Sequence, residues 1–148
     1  MTRMIHRRSF LPHVLGAALF LGLAGHAFTD RGLSAAAPQL KVYFAADFKD
    51  EAYQKKTYMK VASAWKRPTS LPEPGKKTVV IAVIQKDGTA PAPTLHLASG
   101  SDAWDKAALE AVLKASSFDP LPKTYARPSV EVHFHFECAA VEVSRTGS

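Results

Sequence analysis

The sequence predicts an α+β fold, α-β-β-α-β, in which a three-stranded antiparallel sheet of order 2-1-3 carries two helices packed on one face. Three observations lead there. The run V-E-V-H-F-H-F alternates strictly, with Val130, Val132, Phe134 and Phe136 on one side and Glu131, His133 and His135 on the other, which is the pattern of a half-buried strand. The run K-T-V-V-I-A-V-I-Q-K-D-G-T is closed by Asp87-Gly88 and followed by T-L-H-L at Thr94 to Leu97, which reads as a hairpin. Between these lies S-G-S-D-A-W-D-K-A-A-L-E-A-V-L-K-A, where Trp104, Ala108, Ala111, Val112 and Ala115 form one apolar stripe while Asp102, Lys106, Glu110 and Lys114 step by four on another face. A stripe made mostly of alanine lets a helix axis lie close to a sheet.

In chain order, residues 1–27 read as an export signal or an N-terminal membrane anchor. Arg3, Arg7 and Arg8 precede an uncharged run from Phe10 to Phe28, and Gly25-His26-Ala27 supplies small residues at the two positions a signal peptidase inspects. R-R-S-F-L at Arg7 to Leu11 also fits the twin-arginine pattern. The same run is long enough to cross a bilayer core of about 30 Å as an uncleaved anchor with its arginines left behind. Residues 28–40 read as a short linker, in which the small and turn-forming residues from Thr29 to Gln39 span only about 35 to 40 Å when extended. The folded domain is expected over residues 41–138, with residues 139–148 as a tail.

The first helix should run from Asp50 to Lys66, with Tyr53, Thr57, Val61 and Trp65 at successive fours and Pro68 ending it. Val79 to Ile84 is apolar on both faces, as a central strand is when both of its faces are covered. Pro91 and Pro93 sit two apart, so both missing amides point the same way, and the strand at Thr94 to Leu97 belongs at an edge with that side outward. A connection from this edge through the second helix then skips the central strand and places Val130 to Phe136 at the opposite edge. Ser101 or Asp102 can cap the second helix, Asp102 and Asp105 place negative charge at its positive end, and Pro120 and Pro122 stop it. Trp65 and Trp104 are expected in the core.

Composition narrows the function. The 148 residues hold one domain of ordinary size plus tails, and the formal charge of +6 falls to +3 once the three N-terminal arginines are set aside. The lysines around the first helix suit a solvated helix face, and no nucleic-acid motif accompanies them. Cys138 is the single cysteine, which excludes an internal disulfide, a thiol redox pair and a cysteine-rich zinc site. No nucleophile has a recognisable base partner and no phosphate loop or H-E-x-x-H is present, so neither catalysis nor a cofactor is expected. His133 and His135, flanked by Glu131 and Glu137 and with His96 on the hairpin, lack the spacing of a closed metal site and read as the wet face of a strand.

The order of a helix ending in Trp65 and Pro68, V-V-I-A-V-I-Q-K-D-G, L-A-S-G, D-K-A-A-L-E-A-V, S-F-D-P-L-P and then V-E-V-H-F-H-F resembles the C-terminal domain of TonB-family energy transducers, over roughly Lys41 to Glu137, with TolA a more distant relative. The resemblance implies a periplasmic module that grips a short extended segment of an outer-membrane transporter or receptor and, in full transducers, relays force from the proton gradient. Strand addition along Val130, Glu131, Val132, His133, Phe134, His135 and Phe136 is the expected contact. Were the N-terminus an anchor, Ser9 and His13 would match the S-x-x-x-H pair through which such anchors engage inner-membrane proton-channel motor proteins. A free periplasmic partner-binding or ligand-binding factor of the same fold, with no energy transduction, is the alternative. A homodimer is compatible with either.

Overall fold

The computed structural model describes residues 35–141, and the export or anchor segment, Ser9 and His13, and the tail beyond residue 141 lie outside them. Six elements follow in order: β1 (Ala35–Phe44), α1 (Glu51–Ala64), β2 (Lys77–Gln85), β3 (Thr94–Leu97), α2 (Asp102–Ala115) and β4 (Ser129–Val141). The strands form one antiparallel sheet of order β1-β4-β2-β3.

Two features of the expected topology hold and two are corrected. The long apolar strand, β2, is interior, and the proline-flanked strand, β3, is an edge. The sheet has four strands rather than three, and β4 is interior rather than an edge. The cause is β1, which begins inside the stretch read as linker and pairs with β4 from Ala35↔Val141 to Phe44↔Val132. Alternation in β4 reported which side chains are wet and which are dry, and that pattern is the same for an interior strand with one open face as for an edge strand.

Each helix begins where its sequence supplies an acceptor or a charge. At α1, the Asp50 carboxylate accepts a hydrogen bond from the Tyr53 amide at 2.8 Å. At α2, Ser101 holds the N-cap position but its side chain makes no capping bond. Asp102 is exposed, as a first-turn charge should be, whereas Asp105 is buried. Its Oδ1 accepts from the Ser99 amide at 2.9 Å, the Ser99 hydroxyl at 2.8 Å and the Thr78 hydroxyl. Asp105 therefore fastens the β3–α2 turn and β2 to the helix, a larger role than complementing its dipole.

The core lies between the helices and one sheet face. Val61, Trp65, Trp104, Ala108, Ala111 and Val112 meet Val80, Ala82 and Ile84 of β2 and Val130, Val132, Phe134, Phe136 and Cys138 of β4. Trp65 stands edge-on to Trp104 and Phe136, and the Trp104 indole donates to the Phe136 carbonyl at 3.2 Å. The other face carries Lys41 and Tyr43 of β1, the histidines of β4, and Val79, Ile81 and Val83 of β2. Among the described residues no second layer covers it, and Val83 is 41% exposed.

Candidate partner-binding edge of the sheet

A four-stranded open sheet offers two edges, and they differ. On one side β3 is four residues long, all four are exposed, and its register with β2 shifts between Val79 and Val80. Pro91 and Pro93 precede it. On the other side β1 is ten residues long and pairs with β4 without a break.

Main-chain parity on that side follows from one bond. The Ala45 amide donates to the Glu131 carbonyl at 3.2 Å. Hydrogen-bonded pairs alternate along an antiparallel ladder, so Ala37, Gln39, Lys41 and Tyr43 turn their amides and carbonyls toward Ala139, Glu137, His135 and His133. Ala36, Pro38, Leu40, Val42 and Phe44 turn theirs outward. Pro38 thus has its missing donor on the outer side, the one orientation an edge strand tolerates without losing a ladder bond. The even-numbered positions of β4 serve β2, as the Cys138 amide's bond to the Lys76 carbonyl at 3.0 Å shows. Val130 to Phe136, expected to present free main-chain groups, is engaged on both sides.

Side chains add a polar and aromatic pattern on the open face. Lys41 Nζ lies 2.6 Å from Glu137 Oε2, and the hydrogen bond first and the charge second hold its ammonium above the ordinary lysine range. The Tyr43 ring packs on His135 with centroids 4.7 Å apart. His133 Nε2 is 2.7 Å from Glu131 Oε1, and the two imidazoles are 6.5 Å apart. Burial, with Lys77 adding to it and Glu137 opposing, pushes His135 below the usual imidazole value, so it is neutral at pH 7. Among the described residues no group of three or more His, Cys, Asp or Glu is placed to hold a metal ion. Burial raises the Cys138 thiol, which keeps it protonated.

On the helix face β1 is held unevenly. Leu40 is buried, while Ala36, Pro38, Val42 and Phe44 are half-buried. The strand's C-terminal end is pinned by stacked Phe44 and Phe48, with Tyr53 and Tyr125 edge-on to Phe48. Its N-terminal end is A-A-A-P, with little side chain to bury.

A profile of the TonB C-terminal family matches residues 50–136, more than half of the chain. The chain belongs to the TonB C-terminal family. The fold of this TonB C-terminal domain is similar to the solution NMR structure of the Helicobacter pylori TonB C-terminal domain, at 17% identity and a TM-score of 0.50 over 65% of this chain and 89% of that one. No curated protein sequence matches the chain. The family match runs from the N-cap of α1 to Phe136 and so excludes β1. Among the described residues of this TonB domain, no helix is long and apolar enough to cross a membrane.

Leu40, Lys41, Val42, Tyr43 and Phe44 are the residues at this edge that the sequence reading left out of the site. Their signal was present, because L-K-V-Y-F alternates apolar and polar with period two, but the preceding A-A-A-P suggested a linker.

Proposed function

We propose that this TonB C-terminal domain is a periplasmic protein-binding module, without catalysis, that holds an extended segment of an outer-membrane transporter by strand addition on the β1 side of its sheet. Where residues 1–27 remain as an anchor, the same grip serves proton-motive-force-driven transport, with Ser9 and His13 toward the motor proteins. Family membership supports the class of partner. The observation that carries the location is the asymmetry of the edges: β3 is short, shifts register against β2 and is preceded by two prolines, whereas the β1 side is ten residues long with one proline. Strand addition takes its affinity from main-chain groups and its selectivity from alternate side chains, so the long side is the better template.

Titration of isotope-labelled protein with transporter-derived peptides, followed by NMR, tests the reading. Amides of β1 and β4 should shift. A response confined to Tyr53 to Trp65 would replace the edge with a helix-groove mode, and one confined to Thr94 to Leu97 would move the site to the other edge.

Gly25-His26-Ala27 favours a second reading, in which the chain is cleaved and acts as a free periplasmic partner-binding factor. Intact-mass measurement on periplasmic protein separates the two. A mature form beginning near Phe28 supports the free factor, and a membrane-bound form retaining Met1 supports the anchored one.

A further inference from the structure

We infer that the end of the domain at which β1 begins docks on an anionic phospholipid surface, through the basic segment of residues 66–77 with Leu71 and Leu97 against the lipid. This takes from the proposed function only that the chain works beside a membrane of the cell envelope, and it is independent of which sheet edge holds the partner.

The topology gathers the segment and the chain entry at one end. Trp65, the C-cap of α1, packs on Trp104 near the start of α2 and on Phe136 near the end of β4. The segment K-R-P-T-S-L-P-E-P-G-K-K follows. It rejoins the sheet beside β4, where the Gly75 amide donates to the Cys138 carbonyl at 2.7 Å and the Cys138 amide donates to the Lys76 carbonyl at 3.0 Å. β1 starts at this same end, with Ala35 facing Val141. Across a cleft of about 600 Å³ the segment faces the β3–α2 turn, with Ser70, Glu73 and Lys76 opposite Ser99 and Ser101. Leu97, the last residue of β3, lies just before that turn.

The charge at this end is basic and unpaired. Lys66, Arg67, Lys76 and Lys77 stand against Glu73, four basic groups to one acid, or +3 over the segment. None of the four enters a salt bridge among the described residues, whereas at the opposite end Asp47 pairs with Arg127 and Lys56 with Asp119. The other acids nearby are Asp102, which is exposed, Asp105, which is engaged by Ser99 and Thr78, and Glu137, which holds Lys41. Lys66, Arg67 and Lys76 are exposed, and so are Leu71, at 39%, and Leu97, at 45%. Basic heads beside bare leucines suit an anionic bilayer face, where the cations meet phosphates and the leucines enter the headgroup boundary. Each basic group near such a surface gains about fivefold in partition.

β1 supplies a second argument. It takes residues 35–40 out of the expected linker, so where residues 1–27 remain as an anchor, residues 28–34 alone join it to Ala35, with a reach of about 25 Å at most. The end held near the bilayer is then the end with the unpaired basic groups.

The test places the full chain in bilayer nanodiscs of phosphatidylcholine alone or with about a third phosphatidylglycerol, each containing a headgroup spin-labelled lipid, and reads leucine methyl signals by NMR. Paramagnetic broadening of Leu71 and Leu97 should be at least about fivefold stronger in the anionic discs. Leu113 is 45% exposed but sits at the far end of α2, and it should stay sharp. Salt at about 0.5 M should remove the difference between disc types. Lys66→Glu with Lys76→Glu should bring broadening down to the level of neutral discs, and Lys66→Arg with Lys76→Arg should preserve it, with unchanged Val130 and Val132 shifts certifying the fold. Equal broadening in both disc types, retention in the glutamate variant, or broadening at Leu113 in place of Leu71 and Leu97 overturns the inference. Inorganic phosphate in neutral discs is the control for a soluble anion, and amide shifts over residues 66–77 equal to those in anionic discs would also overturn it. Transporter-derived peptides added to the same discs keep the two readings apart. Peptide shifts in β1 and β4 without docking leave strand addition standing and sink this inference, whereas docking without a peptide response upholds it and sinks the transporter assignment.

Discussion

Tyr53 shows how one side chain ties stability to pH. Its ring is 6% exposed, its hydroxyl donates to the Asp119 carbonyl at 2.7 Å, and burial, with the Asp119 charge adding, pushes its pKa up to about 12. The unfolded phenol ionises near pH 10. A folded pKa above the unfolded one means that the native state binds the proton more tightly, so this stability is full below about pH 10 and is lost as pH rises toward about 12, up to about 2 to 3 kcal/mol in all. Denaturant unfolding measured from pH 9 to 12 should show that loss, and Tyr53→Phe should flatten it. Asp105 is the other residue with leverage. Asp105→Ala leaves the Ser99 amide, the Ser99 hydroxyl and the Thr78 hydroxyl without their common acceptor, and should cost about 2 to 4 kcal/mol by chemical denaturation. Asp105→Asn keeps an acceptor oxygen and should cost distinctly less. A carboxylate three positions after Asp102, in the first turn of a helix, carries no sequence mark of burial, because burial here depends on a β2 threonine that is 27 residues away.

Among the elements, the hairpin turn and β1 behave in opposite ways. The turn after β2 is fixed by Gly88, whose φ is +90° and whose carbonyl accepts from the Phe118 amide at 2.9 Å. A Cβ there would meet the main chain of Phe118 and Asp119, with the Asp119 carbonyl at 2.8 Å. Gly88→Ala should therefore cost about 2 kcal/mol or more in a thermal melt, since both the left-handed backbone and the docked segment oppose it. The Asp-Gly pair announced this turn in sequence, although not what packs on it. β1 was hidden for a different reason. Its side chains are small at one end, and its strandness comes from β4, whose ladder supplies bonds that A-A-A-P-Q-L-K-V-Y-F does not advertise. Propensity at an edge is set by the neighbour that is present, and without β1 the strand order of the rest was read correctly but cut one strand short. Hydrogen exchange should separate the ladders: amides of Gln39, Lys41 and Tyr43 should exchange sooner than those of Val80, Ala82 and Phe134, because the edge ladder opens without global unfolding. Equal protection in both would mean that β1 is an integral part of the cooperative unit.

For the molecule as a whole, what matters is where β1 begins. Ala35 faces Val141 across the last rung of the β1–β4 ladder, while Phe44 faces Val132 at the other end. A load applied at residue 35 and resisted at residue 141 opens the ladder as a zip, one rung at a time, so the force needed is that of a single pair of bonds. A load between residues 35 and 132 runs along the strands and must shear every rung together. Single-molecule pulling with handles at those two pairs of positions should give a markedly lower opening force for 35/141 than for 35/132. The antiparallel register thus makes the edge of this sheet weak against a pull from one direction and strong against a pull from another, and chain direction alone decides which of the two a tether imposes.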